Sequence, residues 1–297
     1  MTELVQCPIC KGETFQDITN CVDYTVSHET FHVKRCTTCE LAITSPRPEL
    51  NELGNYYKSE EYISHSGKTS GVIGSMYTIA RSYALQWKNK IITKFNTGNT
   101  ALDFGCGTGD FLHTLQKKGW KVEGVEPSDL ARTKAAELNN QKICSDINEI
   151  ENKTFDVITA WHVLEHVPDL HATLFKLKTL LTKNGTLFIA VPNYQSHDSF
   201  VYKNYWAGYD VPRHLWHFSK KSITLLLQSH GFKLQEVIPM KLDSYYISLL
   251  SEKYKNQNRL TLAGSVKAFS NGFISNLKAR NQTNHSSLIY IAKIHED

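Results

Sequence analysis

The chain has 297 residues, 41% hydrophobic and 21% charged, enough for a sizeable core in one large unit or two smaller ones. Its net charge of +4, from 33 basic and 29 acidic side chains, is too small to point to a nucleic-acid or anionic-membrane partner. No run reaches the roughly 18 apolar residues of a membrane span. Residues 1–10 lack the basic-then-apolar order of a secretory signal, so the expected compartment is the cytoplasm, where thiols stay reduced.

Cys7-x-x-Cys10 and Cys36-x-x-Cys39 flank a weakly alternating segment that reads as short strands. Two such pairs form a tetrahedral thiolate cage for Zn2+, because each pair curls both sulfurs toward one ion. Four thiolates leave no open coordination position, so the metal is structural, and so short a segment needs it to fold. Cys21 lies outside the pairs and reads as a small apolar residue. The expected zinc ribbon spans 1–50, ending at "SPRPEL".

Residues 51–98 form a linker or lid followed by a helix. The first part is aromatic and then rich in glycine and serine, which makes Tyr57, Tyr62 and His65 candidate substrate contacts or plain surface residues. From 74 to 95, Met76, Ile79, Ala80, Tyr83, Ala84, Trp87 and Ile91 form a helical apolar stripe, with Lys88 among the basic residues mostly off it.

From Thr100 strand and helix alternate. "TALDFG" reads as a strand, "DFLHTLQKKG" as a helix, "KVEGVEP" as a strand, and a helix follows from the N-cap Ser128. "KICSD" and "FDVITAW" are the third and fourth strands, a helix closed by Gly185 follows, and "TLFIAVPN" is the fifth strand. Such alternation predicts an α/β fold, a mostly parallel sheet with helices on both faces. These sheets take ligands at the carboxyl ends of their strands. There Gly105, Gly107 and Gly109 let backbone approach a ligand, and the next helix offers free N–H groups. Their spacing departs from the dinucleotide fingerprint, and Glu126, ending the next strand, can accept ribose hydroxyls.

Taken together, Asp103–Gly109, Glu126, Asp146 and "WHVLEHVPD" at 161–169 resemble the class I S-adenosylmethionine-dependent methyltransferases over about 100–293. The resemblance implies a Rossmann-like seven-stranded sheet, in which "KLQEVIPM" and "SSLIYIAKI" fill the sixth and an antiparallel seventh position. Residues 99–297 are then the S-adenosyl-L-methionine domain, with an insertion at 241–284 in which "SYYISLLSEKY" and "SVKAFSNGFISNLKA" both have helical apolar spacing. It also implies cofactor contacts. Asp103, Gly105, Gly107 and Gly109 surround the methionine part. Glu126, followed by Pro127, takes the ribose, Asp146 with Ile147 takes the adenine, and Ala160, Trp161 and His162 line the sulfonium region.

Methyl transfer needs an aligned nucleophile and, for a hydroxyl, a base. The long polar-aromatic loop 193–219 supplies candidates: His214 as base with His217 second, and His197, Tyr205, Trp206 and Arg213 as substrate contacts. His217 also reads as a residue that merely precedes the next helix. His162, Glu165 and His166 resemble the metal motif of ubiquinone-pathway O-methyltransferases but begin with His where that motif has Glu, which leaves a divalent cation there open. The favoured function is methyl transfer to a small-molecule or sugar-type acceptor. RNA methylation through the ribbon and a non-catalytic binding or interaction protein are the alternatives. Before Arg47 the ribbon's basic residues are Lys11, Lys34 and Arg35, too few to favour RNA. Oligomeric state is not legible in the sequence.

Overall fold

The computed structural model describes residues 1–57 and 72–295, with backbone alone for 72–79. The N-terminal part lays down β1 (Phe15–Val22), β2 (Thr30–Cys36) and β3 (Ala42–Thr44), and α1 (Val72–Phe95) leads onward. Then come β4 (Thr100–Phe104), α2 (Asp110–Gln116), β5 (Lys121–Val125), α3 (Asp129–Asn139), β6 (Phe155–Trp161), α4 (Leu170–Thr179) and β7 (Leu181–Pro192). The chain closes with α5 (His197–Tyr202), β8 (Trp216–His217), α6 (Lys220–Ser229), β9 (Phe232–Pro239), α7 (Asp243–Lys255), α8 (Leu262–Ala279) and β10 (Ser287–Ile294).

The main sheet has six strands in the order β5-β4-β6-β7-β10-β9. Strands β4 to β7 pair in parallel, and β10 runs antiparallel to both β7 and β9. Buried Leu102, Ile158, Leu187 and Ile289 fill its centre, which is why these strands read as apolar runs rather than alternating ones.

The expected seven strands are therefore six. "KICSD" makes only one parallel bridge, Val125 to Cys144, closed by Cys144 N–H to the Gly124 carbonyl (3.0 Å) and Glu126 N–H to the Cys144 carbonyl (2.9 Å). The cause is local. Asp146 and Glu149 form a capping box over the 3₁₀ turn Ile147–Glu149, and Glu149 takes the Ser145 and Asp146 N–H groups (2.7 and 3.2 Å). Those donors serve a turn instead of a ladder.

Two further expectations shift. Helix α4 stops at Thr179, not Gly185; Leu181 already pairs with Phe155, and a register shift intervenes before Val157 pairs with Thr186. Helix α1 keeps the later part of the predicted stripe, with Trp87 packed on the core, and loses Tyr83 from it; the side chains of Met76 and Ile79 lie outside the described residues. Tyr83 faces solvent, Ile91 and Ile92 are buried, and the Lys88 ammonium lies 4.4 Å from the Trp161 ring centre.

The small antiparallel sheet has the order β1-β2-β3-β8, so its last strand comes from the polar-aromatic loop, far along the chain. It is fastened to the main body from two sides. The His171 Nε2–H donates to the Pro8 carbonyl (2.9 Å), and the Trp216 indole N–H donates to the Val167 carbonyl (2.7 Å).

Candidate functional site

The turn after β4 is built from backbone. Gly105, Gly107 and Gly109 all have left-handed φ, +75°, +54° and +79°. A Cβ at Gly105 would lie 2.4 Å from Val163, so only glycine lets the turn meet the segment after β6. Among the described residues, a Cβ at Gly107 would meet no atom within 4 Å, so they leave that face of the turn open. The Glu126 carboxylate accepts the Gly107 N–H (2.8 Å) and the Ser128 N–H (2.9 Å), tying the turn to the end of β5.

Below the turn Asp103 is buried and accepts the Thr159 hydroxyl (2.6 Å). Burial raises its carboxyl to about 7, against the opposing pull of Thr159 and Lys88. Burial raises Glu126 too, opposed by the N–H groups it accepts. Asp146 caps its turn, accepting Asn148 N–H (2.7 Å), with Ile147 buried beside it. Ala160 is buried in β6, and Trp161 stands edge-on to Phe111 with ring centres 5.5 Å apart. His162 has φ +58° and lies between two carboxylates, Nε2 3.0 Å from Asp243 and Nδ1 3.3 Å from Glu165. Burial would lower its pKa, but Asp243 and Glu165 override that and raise it to about 9. Asp243 opens the helical insertion and carries no sequence motif that would have flagged it.

Beyond Val163 the site becomes one of side chains. Glu165, His166 and His214 bring a ligating atom each within 4.8 Å of one another. Both histidine tautomers follow from carbonyl partners, which only accept. His166 Nδ1–H donates to the Arg213 carbonyl (3.1 Å), and His214 Nδ1–H donates to the Gly208 carbonyl (2.9 Å). Each therefore has its lone pair on Nε2. Burial, reinforced by the neighbouring His214, lowers His166 to about 4. Glu165 is fully buried and its Oε2 has no partner among the described residues. The set is chemically fit for a divalent cation. Tyr57 Oη lies 3.0 Å from His166 Nδ1, and burial, with the nearby Asp210 carboxylate, pushes its pKa up.

Other predicted loop residues are committed elsewhere. Arg213 is buried, with NH2 3.0 Å from Asp23 and 2.7 Å from Asp210, and its NH1 donates to the Tyr56 carbonyl (3.0 Å). Against burial, that guanidinium holds Asp210 down at about 2. Trp206 is buried and donates its indole N–H to Asp198 (2.8 Å). Tyr205 stacks on Tyr24 with centroids 5.9 Å apart. His197 starts α5, its pKa lowered by burial and by Lys278. His217 sits in β8 and donates Nε2–H to Thr44 Oγ1 (3.0 Å), whose own hydroxyl donates to the His214 carbonyl (2.7 Å). Thus β3 of the small sheet holds the backbone of His214, and His217 is a link in that hold. Tyr62 and His65 lie outside the described residues. His166, read from sequence only as part of a motif with an open metal role, is brought into contact with His214.

In the cysteine cluster all four sulfurs lie within 4.8 Å of one another. The Cys7–Cys39 and Cys10–Cys36 sulfur pairs are each 3.4 Å apart. Backbone groups of Ile9, Cys10, Gly12 and Leu41 bond these sulfurs. Lys11 and Glu40, each following the second cysteine of its pair, both have left-handed φ (+60° and +64°). Two like knuckles thus face one point, and the donor set fits Zn2+.

A methyltransferase-domain family model matches residues 77–237, more than half of the chain. The chain belongs to the methyltransferase-domain family. The resemblance to class I S-adenosylmethionine-dependent methyltransferases is borne out, and the N-terminal cysteine cluster fits a zinc ribbon. The methyltransferase domain is similar to the ubiquinone biosynthesis O-methyltransferase of Colwellia psychrerythraea, 37% identical over 101 residues, covering 31% of this chain and 41% of that protein. The namesake from Pasteurella multocida is 32% identical over 130 residues, covering 38% and 52%. The chain spans about half the length of the curated relatives it matches, or less. Among solved structures, geranyl diphosphate C-methyltransferase from Streptomyces coelicolor, in complex with Mg2+, geranyl-S-thiolodiphosphate and S-adenosyl-L-homocysteine, shares the fold. Its TM-score is 0.50 at 12% identity, with 83% of this chain and 84% of that one covered.

Proposed function

We propose that this methyltransferase domain transfers a methyl group from S-adenosyl-L-methionine to a hydroxyl of a small-molecule acceptor. The observation that carries this reading is the open, left-handed glycine turn tied to Glu126 and abutting, through Val163, the segment bearing Glu165 and His166. When bound, the cofactor supplies a methyl carbon already activated by a cationic sulfur.

The chain's residues do the rest. The Gly105–Gly109 backbone and Asp103 would hold the methionine part, and Glu126 would accept the ribose hydroxyls with lone pairs its backbone bonds leave over. Asp146 and Ile147 receive the adenine. His214 Nε2 takes the acceptor hydroxyl proton as the oxygen–carbon bond forms and the carbon–sulfur bond breaks. Its Nδ1–H, fixed on the Gly208 carbonyl, keeps the ring in the accepting tautomer. His166, neutral because its pKa is low, and Glu165 orient the acceptor, directly or through a divalent cation. Asp23 and Asp210 already hold Arg213, so it braces the loop rather than clamping substrate.

The relatives' names support an oxygen acceptor. RNA is disfavoured because Lys34 is paired with Glu3 (2.8 Å) and Arg35 with Gln16 (2.7 Å). The zinc ribbon is a proposed structural module whose strand β3 positions His214.

Titration calorimetry with S-adenosyl-L-homocysteine tests the reading. Binding is expected, and it weakens in Glu126→Ala with little change in His214→Ala. Absence of binding to the folded, zinc-loaded chain would falsify the proposal.

A further inference from the structure

Helix α8 carries its large side chains away from the body of the protein. Its inward stripe is Gly264, Ala268, Gly272, Ser275 and Ala279, all buried. At Gly272 a Cβ would lie 2.8 Å from the Tyr245 ring and 3.0 Å from its Cα, so the close seat on α7 requires small residues. Hydrogen bonds fix that seat: Ser275 donates to Asp198 (2.7 Å), and the Asn271 amide donates to Tyr202 Oη (2.9 Å).

Leu262, Val266, Phe269, Phe273 and Leu277 recur three or four apart and so share one face. Leu262 is 85% exposed, Val266 61% and Phe273 60%. Phe200, on the adjoining α5, is 82% exposed. A contiguous apolar face of this kind marks an interaction surface.

The charge around it identifies the partner's sign. Residues 253–295 contain no Asp or Glu, while Lys253, Lys255, Arg259, Lys267, Lys278 and Arg280 are basic. Glu252, just before them, is buried, 3.6 Å from Lys267. Two copies joined through this face would bring like charges together. Among the described residues no helix is long and apolar enough to cross a membrane. An apolar face bordered by cations is the pattern of a helix lying in the plane of an anionic bilayer surface. The mild whole-chain charge averages this segment away.

We infer that α8 docks the protein on an anionic lipid surface, with Phe269 and Phe273 entering the headgroup boundary and Lys278 and Arg280 meeting lipid phosphates. The inference does not depend on the proposed methyl transfer.

Sedimentation of the full chain with vesicles tests it. Partitioning onto phosphatidylglycerol–phosphatidylcholine vesicles should exceed that onto phosphatidylcholine alone and fall with salt. The Phe269→Ser/Phe273→Ser pair and the Lys278→Glu/Arg280→Glu pair should each lower it by about tenfold or more, with unchanged circular dichroism. Should the phenylalanine pair misfold, the charge pair alone decides. The inference is overturned by wild-type chain that ignores anionic vesicles, by charge variants that bind as wild type does, or by a dimer in sedimentation velocity that the same variants dissociate.

Discussion

The two halves of the candidate site around the end of β6 are made differently. On the glycine side the geometry comes from backbone: three left-handed glycines within five residues, and a carboxylate at the end of the next strand. On the histidine side it comes from side chains of distant origin. His166 follows β6, His214 sits in the long loop, Tyr57 precedes α1, and Thr44 of the small sheet holds the His214 carbonyl. The first can form wherever the sheet forms. The second exists only when several distant segments are docked, so perturbations should separate the two.

The largest separation is expected from His214→Ala: turnover about 10²–10⁴-fold lower, with cofactor affinity unchanged. Steady-state kinetics beside calorimetry reads both, and equal losses would place His214 in the cofactor half. Arg213→Met leaves buried Asp23 and half-buried Asp210 without their cation and should cost about 3–5 kcal/mol in urea denaturation. Retained stability would mean the strut is dispensable. Cys36→Ser, or chelation of zinc, should lower turnover about 100-fold through displacement of β3, again with cofactor affinity held. Full turnover after zinc loss would disconnect the ribbon from the acceptor side. On the glycine side, Glu126→Ala should weaken cofactor binding by about 1–3 kcal/mol.

The smallest effect is on pH dependence. Asp103 ionises at about 7 in the fold against an ordinary 3.8, so the folded chain keeps a proton that the unfolded chain releases. Its contribution to stability is full below the lower value and is lost as pH rises through the upper one. Stability without ligand should therefore fall across that window, and Asp103→Asn should flatten the curve. If the slope persists in the variant, another group is responsible.

The same division governs what could be read from the chain before folding. The glycine spacing, Glu126 and the paired cysteines are local patterns, each needing only a few neighbouring residues to specify its geometry, and they point directly to a cofactor turn and a metal cage. The insertion helices were legible from their spacing. Asp243 was not, because its meeting with His162 depends on how the insertion folds back. Arg213 reads in the sequence as a substrate contact because nothing there brings Asp23, 190 residues away, to its side. The missing sheet strand had a local cause that propensity hid: the Glu149 carboxylate takes the N–H groups of Ser145 and Asp146.

Strand β8 has a consequence for building chimeras. Because residues 216–217 complete the four-stranded sheet begun at Phe15, the N-terminal piece is not a bead that can be exchanged at its linker. A donor ribbon grafted onto this chain would arrive with an unpaired edge at its own third strand, and the recipient loop would keep a strand with nothing to join. Productive recombination has to move two segments together, and variation in acceptor preference among such hybrids should follow the origin of the pair rather than of either part.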